Sequence, residues 1–287
     1  MQTALKRVLA VHDLSCFGRC SLSVALPILS ACGATCVCLP TAVLSTHTGG
    51  FKGFHLRDLT DDLLPVTAHW QREGIRMDAL YTGYLCSEKQ LAIVLEIAKN
   101  IQQPDFLTVV DPVMGDDGRL YSGLSSAMVD GMRKLCARAD VITPNLTEAA
   151  LLLNQPYRGG VMEEKDVLSL CRKLHEINGK NVVLTGVQPD EKSIGAACYD
   201  GKTLRLCVTE RIPAHFDGTG DVFCSVLTGA LLGGLSVPNA AQTAAQFTRD
   251  AIALTYAKNG NRHYGVDFEE VLCSLDARLK ENHHDTL

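Results

Sequence analysis

A chain of 287 residues is long enough to bury a large core without disulfides or metal, and its net charge of −5 with no long basic run argues against a nucleic-acid partner. Lys6 and Arg7 lead into a short apolar run broken by His12 and Asp13, so no signal peptide is expected, and no segment has the length and apolarity of a bilayer span. A cytoplasmic protein with no membrane partner is the expectation, and its twelve cysteines, which form no CxxC pair, read as reduced and mostly buried thiols.

In chain order, short β-branched runs alternate with helical patterns. Strands are expected at Arg7–His12, Thr35–Leu39, Ala79–Thr82, Thr108–Val110, Val141–Thr143 and Val182–Leu184. Helices are expected between them, near Ser21–Ala31, Arg57–Glu73, Glu88–Ile101, Ser125–Ala137 and Lys165–Asn178. The alternation implies right-handed crossovers, hence an α/β fold with a mainly parallel central sheet and helices on both faces. After Leu184 the pattern changes. Ala196–Asp200 and Thr203–Thr209 flank Asp200-Gly201-Lys202, a hairpin signal, and helices over Gly220–Leu235, Asn239–Ala257 and Phe268–Lys280 follow. No linker or repeat divides the chain, so a single domain over 1–287 is expected.

In such a sheet, ligands sit outside the carboxyl ends of the strands. Polar and glycine residues cluster there: Asp13, Ser15 and Cys16 after the first strand, and Thr41, His47 and Thr48 after the second. Gly83 and Tyr84 follow the third, Asp111-Pro-Val-Met-Gly-Asp116 the fourth, Thr143-Pro-Asn-Leu-Thr-Glu148 the fifth, and Thr185-Gly186 the sixth. Gly218-Thr219-Gly220 opens an apolar helical run, where exposed amides and the positive end of the helix dipole favour an anion. Asp221 lies in the same first turn. An anion site beside a carboxylate suits phosphoryl transfer, with the amides holding charge and the carboxylate accepting a proton from the attacking hydroxyl. The plainer reading is a turn with a dipole-complementing Asp. Asp111, Asp116 and Glu148 are hard oxygen donors, as direct ligands or as groups behind them, of the kind Mg²⁺ uses when it carries nucleotide phosphates. Alternatively, Asp116-Asp117-Gly118 is only a turn and Glu148 only the partner of Asn145 in a capping box.

Together, the Asp111–Asp116, Thr143–Glu148 and Gly218–Asp221 motifs resemble the ribokinase-like small-molecule kinases, in the pyridoxal/pyridoxine/pyridoxamine kinase branch, in order and spacing over essentially the whole chain. The resemblance implies transfer of the ATP γ-phosphate to the 5′-hydroxymethyl of a B6 vitamer by a cytosolic homodimer. It implies that Asp221 is the general base and that Gly218 and Thr219 lie in the anion hole. Asp111, Asp116, Thr143 and Glu148 would lie near Mg²⁺, a monovalent cation such as K⁺, and the phosphates; Tyr121, Thr185, Gly186 and Ile212 would lie on the nucleotide side. The substrate end departs from the pattern. The family's serine followed by His-Val-Val-Tyr-Gly is here Asp13-Leu-Ser-Cys-Phe-Gly18, while Ser45-Thr-His47-Thr48 resembles its Ser-Asn-His-Thr. An Asp at position 13 is expected either to favour a cationic group, such as the aminomethyl of pyridoxamine, or to anchor the next helix as a buried carboxylate. The alternatives are a hydroxymethylpyrimidine kinase, whose branch commonly carries Cys near the catalytic end of this glycine motif, and a non-catalytic nucleotide or vitamer sensor.

Overall fold

The computed structural model describes residues 5–101, 105–121 and 123–284. The elements run β1 (Arg7–Ser15), α1 (Leu22–Ala31), β2 (Thr35–Leu44), β3 (Leu56–Asp58), α2 (Thr60–Arg72), β4 (Ala79–Thr82), α3 (Glu88–Ile101) and β5 (Leu107–Val110). They continue through β6 (Gly115–Asp116), β7 (Arg119–Leu120), α4 (Ser126–Cys136), β8 (Val141–Ile142), α5 (Leu146–Leu153), α6 (Glu164–Asn178) and β9 (Asn181–Val187). Last come β10 (Ser193–Tyr199), β11 (Leu204–Glu210), α7 (Thr219–Leu232), α8 (Val237–Ala257), three short 3₁₀ turns and α9 (Leu275–His284).

One nine-stranded sheet organises the chain, in the order β11-β10-β9-β8-β5-β4-β1-β2-β3. Its six central strands, β9 to β2 in that order, are parallel; β3 on one edge and the β10–β11 pair on the other are antiparallel additions. The central strands read as apolar runs because both of their faces are covered. On one face, Val8, Ala10, Tyr81, Val109 and Val141 pack under α1, α7 and α8; on the other, Leu9, Val11, Leu80, Val110 and Ile142 pack under α2 to α6. The chain passes from β1 to β2 in one direction across the sheet and then returns to β4 on the other side of β1. That reversal opens a crevice at the carboxyl ends of β1 and β4, where ligands of this architecture bind.

Several boundaries differ from the sequence expectation. β1 continues to Ser15 and β2 to Leu44, so Asp13, Ser15 and Thr41 lie within strand ends and not in loops. The polar residues can stay in the strand because their groups find partners: Asp13 accepts from Ser15 and Ser21, and Thr41 donates to the Tyr84 carbonyl. Leu56–Asp58 pairs with β2 as an edge strand, so the helix expected from about Arg57 starts instead at Thr60. A helix not anticipated, α5, starts at Leu146 behind an Asn145–Glu148 capping box. The expected final helix over Phe268–Lys280 divides into 3₁₀ turns at Phe268–Glu270 and Leu272–Ser274 before α9. No helix of the described residues is long and apolar enough to cross a membrane.

Candidate active site

The period-2 geometry of parallel strands aligns the chemistry. Val11, Thr82, Val110 and Ile142 pair side by side across β1, β4, β5 and β8. The next row is His12, Gly83, Asp111 and Thr143, tied to the previous one by Gly83, Asp111 and Thr143 N–H groups donating to Val11, Thr82 and Val110 carbonyls at 3.0–3.1 Å. Each member lies two residues beyond a core residue of the face under α7, so this polar row caps that core directly below the start of α7. From α7, the Cys224 thiol donates to Thr143 Oγ1 at 3.2 Å, and Ser225 reaches the Tyr81 hydroxyl at 3.5 Å.

Gly218 is the N-cap of α7, with φ 76°. A Cβ there would stand 2.1 Å from the Arg19 carbonyl oxygen, so the turn requires glycine on both conformational and steric grounds. Thr219 and Asp221 follow in the first turn, half-buried, with Gly220 exposed between them. The Thr219 hydroxyl donates to the Phe216 carbonyl at 3.3 Å, while the first-turn amides point out of the helix end, as in any helix. Asp221 Oδ2 accepts the Ser21 N–H at 2.9 Å. Desolvation pushes the Asp221 carboxyl up to about 7; the Ser21 bond opposes the rise and the Asp13 charge adds to it.

The other carboxylates are drawn to the same end. Burial raises Asp111 above the ordinary carboxylate range, and the Asp221 charge raises it further, while Thr143 and Cys224 offset part of the rise. Glu148 is 3 % exposed and also raised, by burial first and then by Asp111. Its Oε1 accepts the Met114 N–H at 3.1 Å and its Oε2 the Asn145 N–H at 2.9 Å, so the capping box is real, and the same side chain also pins the loop after β5. Asp116 belongs to the small β6–β7 hairpin, whose turn residues Asp117 and Gly118 both take positive φ. Tyr121 closes that hairpin, its N–H donating to the Met114 carbonyl at 2.8 Å; its hydroxyl is raised by burial and by the surrounding carboxylates. Among the described residues no three His, Cys, Asp or Glu side chains converge as a ready ligand set, so Asp111, Asp116 and Glu148, expected as metal ligands or as groups behind them, do not by themselves close a ligand shell. The cluster still fits a hard cation held through water and phosphate, because its carboxylates raise one another and a cation would relieve that repulsion.

Thr185 and Gly186 lie beside the Thr143 loop, the Thr185 N–H donating to the Pro144 carbonyl at 2.9 Å. Ile212 follows β11, which runs parallel to β9 through two antiparallel pairings and therefore ends at the same sheet edge.

The end expected to meet the substrate is built differently. Thr41 is fully buried, and Tyr84 is half-buried, its hydroxyl pushed up to about 12 by desolvation. Cys16 and Thr48 are exposed. His47 is 7 % exposed and committed at both nitrogens: Nδ1 accepts the Gly49 N–H at 3.1 Å, and Nε2–H donates to the His263 carbonyl at 2.5 Å. It therefore ties the loop after β2 to the loop at residues 261–265. His263 Nδ1 bonds Asp217 Oδ2 at 2.9 Å, and a Cβ on Gly50 would meet the His263 ring at 2.1 Å. Phe17, Phe51 and Tyr264 complete an aromatic cluster from three loops, with Phe17 and Tyr264 edge to face at 5.0 Å. Asp13 is 4 % exposed, with Oδ1 accepting from Ser21 at 2.5 Å and Oδ2 from Ser15 at 3.0 Å. Sequence reasoning did not find Ser21, His12, Asp217 or His263. Asp217 directly precedes the glycine motif and could have been flagged; the others carry no local signal. His12 is fully buried at the end of β1, its pKa lowered to about 3 by burial, with both ring nitrogens unpartnered and its ring over Gly83.

Residues 26–267 match the family model described as phosphomethylpyrimidine kinase. A crystal structure of a candidate phosphomethylpyrimidine kinase from Bacteroides thetaiotaomicron is 41 % identical, with a TM-score of 0.91 and 96 % of each chain covered. A second crystal form of that protein, with pyridoxal, is 42 % identical, with a TM-score of 0.89 and 95 % and 96 % covered. Pyridoxal kinase of Lactobacillus plantarum is 35 % identical, with a TM-score of 0.88, covering 98 % of this chain and 99 % of its own. The pyridoxine/pyridoxal/pyridoxamine kinase of Bordetella avium is 29 % identical over 86 % of this chain and 85 % of its own. The chain spans only 44 % of two further relatives, the thiamine biosynthetic bifunctional enzymes of rice and Arabidopsis. Carried by a match over most of its length, the chain belongs to the phosphomethylpyrimidine kinase family, with ribokinase-like pyridoxal kinases among its relatives.

Proposed function

We propose that the chain transfers the γ-phosphoryl group of ATP to the 5′-hydroxymethyl of a B6 vitamer. The observation that carries the reaction type is the Asp221 carboxyl, held in the first turn of α7 behind Gly218 and poised at about 7. A base near the operating pH is ionised often enough to act and basic enough to accept a proton. The substrate hydroxyl oxygen attacks the γ-phosphorus, its proton passes to Asp221, and the bond to the β-phosphate oxygen breaks, releasing ADP. The amides of Gly218 to Gly220 and the α7 dipole stabilise charge on the moving group. Asp111 and Glu148 would hold Mg²⁺ through water, and when bound the ion neutralises phosphate charge. Thr143, Thr185, Gly186, Ile212 and Tyr121 would border the nucleotide, and K⁺ would sit with it. Thr41, Tyr84 and the aromatic loops would enclose the vitamer. A cytoplasmic homodimer completes this reading.

The B6 assignment is supported by the relative crystallised with pyridoxal and by the 35 % identical pyridoxal kinase. The family description favours a second reading, hydroxymethylpyrimidine phosphorylation. With Asp13 buried against two serine hydroxyls, a cationic aminomethyl group meets no open carboxylate, and the expected preference for pyridoxamine loses its basis. The test is ATP turnover on pyridoxal, pyridoxine, pyridoxamine and hydroxymethylpyrimidine. A B6 vitamer is expected to give the highest kcat/KM; a tenfold preference for the pyrimidine would overturn the B6 reading, and no turnover at all would favour a sensor.

A further inference from the structure

Ser21 joins two parts of the chain that are 200 residues apart. It precedes α1 with φ 56° and ψ −131°, a backbone region that strains any residue carrying a Cβ. Such a conformation persists only where the surroundings over-determine it. Its side chain makes no capping bond to α1. Instead its hydroxyl donates to Asp13 Oδ1 at 2.5 Å, and its N–H donates to Asp221 Oδ2 at 2.9 Å. Asp13 is itself fixed, 4 % exposed with its second oxygen accepting from Ser15 at 3.0 Å. The adjoining peptide is held from the other side, where Gly218 packs on the Arg19 carbonyl.

We propose that Asp13 and Ser21 are positioning residues for Asp221. Asp13 anchors the Ser21 hydroxyl, the anchor holds the strained peptide, and that peptide aims its N–H at Asp221 Oδ2, leaving Oδ1 to receive the proton of the substrate hydroxyl. The proposal rests on the reading of Asp221 as proton acceptor. It gives Asp13 a role that needs no contact with the vitamer, and it couples the altered first loop to the glycine motif. A well-aimed base affects the chemical step, so losing the aim lowers kcat and leaves binding largely intact.

The test uses the full chain with ATP and the vitamer turned over best. Asp13→Ala is expected to lower kcat about tenfold, with both KM values within threefold of wild type, and Ser21→Ala to do the same. Adding Ser21→Gly to Asp13→Ala is expected to bring kcat back to within about threefold of wild type, because glycine takes positive φ without a tether. A raised vitamer KM at unchanged kcat would show that Asp13 touches the substrate and would overturn the proposal. So would a kcat loss that glycine does not repair. If Asp13→Ala does not fold, Asp13→Asn loses the anchoring charge and is expected to lose about fivefold in kcat, which Ser21→Gly should bring back to within about twofold of wild type. Amide exchange at Ser21, read by NMR, is independent of turnover. It is expected to be at least tenfold faster in the Asp13 variant than in wild type and slow again in the double variant. Equal exchange in all three would overturn the positioning even if the wild type phosphorylates no vitamer, an outcome that by itself removes only the assigned reaction.

Discussion

The two ends of the cleft solve different problems with different materials. At the proposed phosphoryl end, Asp111, Thr143 and Asp221 stand on adjacent strand ends and a helix start, and Glu148 is fixed by two backbone N–H donors. At the proposed substrate end, Phe17, His47, Phe51, His263 and Tyr264 come from three separate loops and hold one another. Rigid elements can hold several like charges close together without collapsing. Interlocked loops can change their lining residues without disturbing the sheet. One wall is fixed by the sheet and the other only by its own loops.

The comparison breaks most visibly at the base. Asp221→Asn keeps the acceptor for Ser21 but cannot take the proton, so kcat is expected to fall by about 10²–10⁴-fold with ATP affinity nearly unchanged. In the parent enzyme, Asp221 must be ionised to act, so kcat/KM is expected to rise with pH through about 7. Near-normal turnover of the variant would remove Asp221 from the chemistry.

A loop substitution should have a different signature. His47→Ala removes the bond that bridges to the His263 carbonyl and the Gly49 bond within its own loop, and the vitamer KM is expected to rise about tenfold with kcat within about threefold, since only ground-state binding is lost. A comparable fall in kcat at constant KM would place His47 with the rigid end and dissolve the distinction.

The smallest effect is on stability. Burial and the Asp221 charge raise the folded-state pKa of Asp111, so folding favours its neutral form. The stability this contributes is full below the ordinary carboxylate range and is lost as pH rises through the raised value. Melting temperature should therefore fall from about pH 5 toward pH 8, and Asp111→Asn should flatten the fall. At about pH 8 the variant is expected to gain about 1 kcal/mol, or roughly 2–4 °C, while losing activity. A variant less stable than wild type at both pH values would show that the Asp111 contacts to Thr143 and Cys224 outweigh its charge.

The sequence by itself determined the parallel sheet and gathered the candidate site residues at one edge of it. Alternating strand and helix patterns fix the topology, and residues two positions past each apolar strand must share a face. Glycines followed by an apolar helical run locate Asp221. Even the ambiguous readings were local: the Asn145–Glu148 capping box and the Asp117-Gly118 turn are both present, and the structure adds the Glu148 bond to Met114 that makes the side chain part of the site wall. Only the tertiary structure decided how far β1 and β2 extend, what Asp13 faces and what His47 holds. Asp13 reaches Ser21, eight residues on, and through it Asp221, while His47 reaches the loop at residues 261–265. Nothing near Asp13 marks Ser21 as its hydrogen-bond donor, because long-range polar pairing is set by how the loops pack above the sheet, and local periodicity carries no record of it.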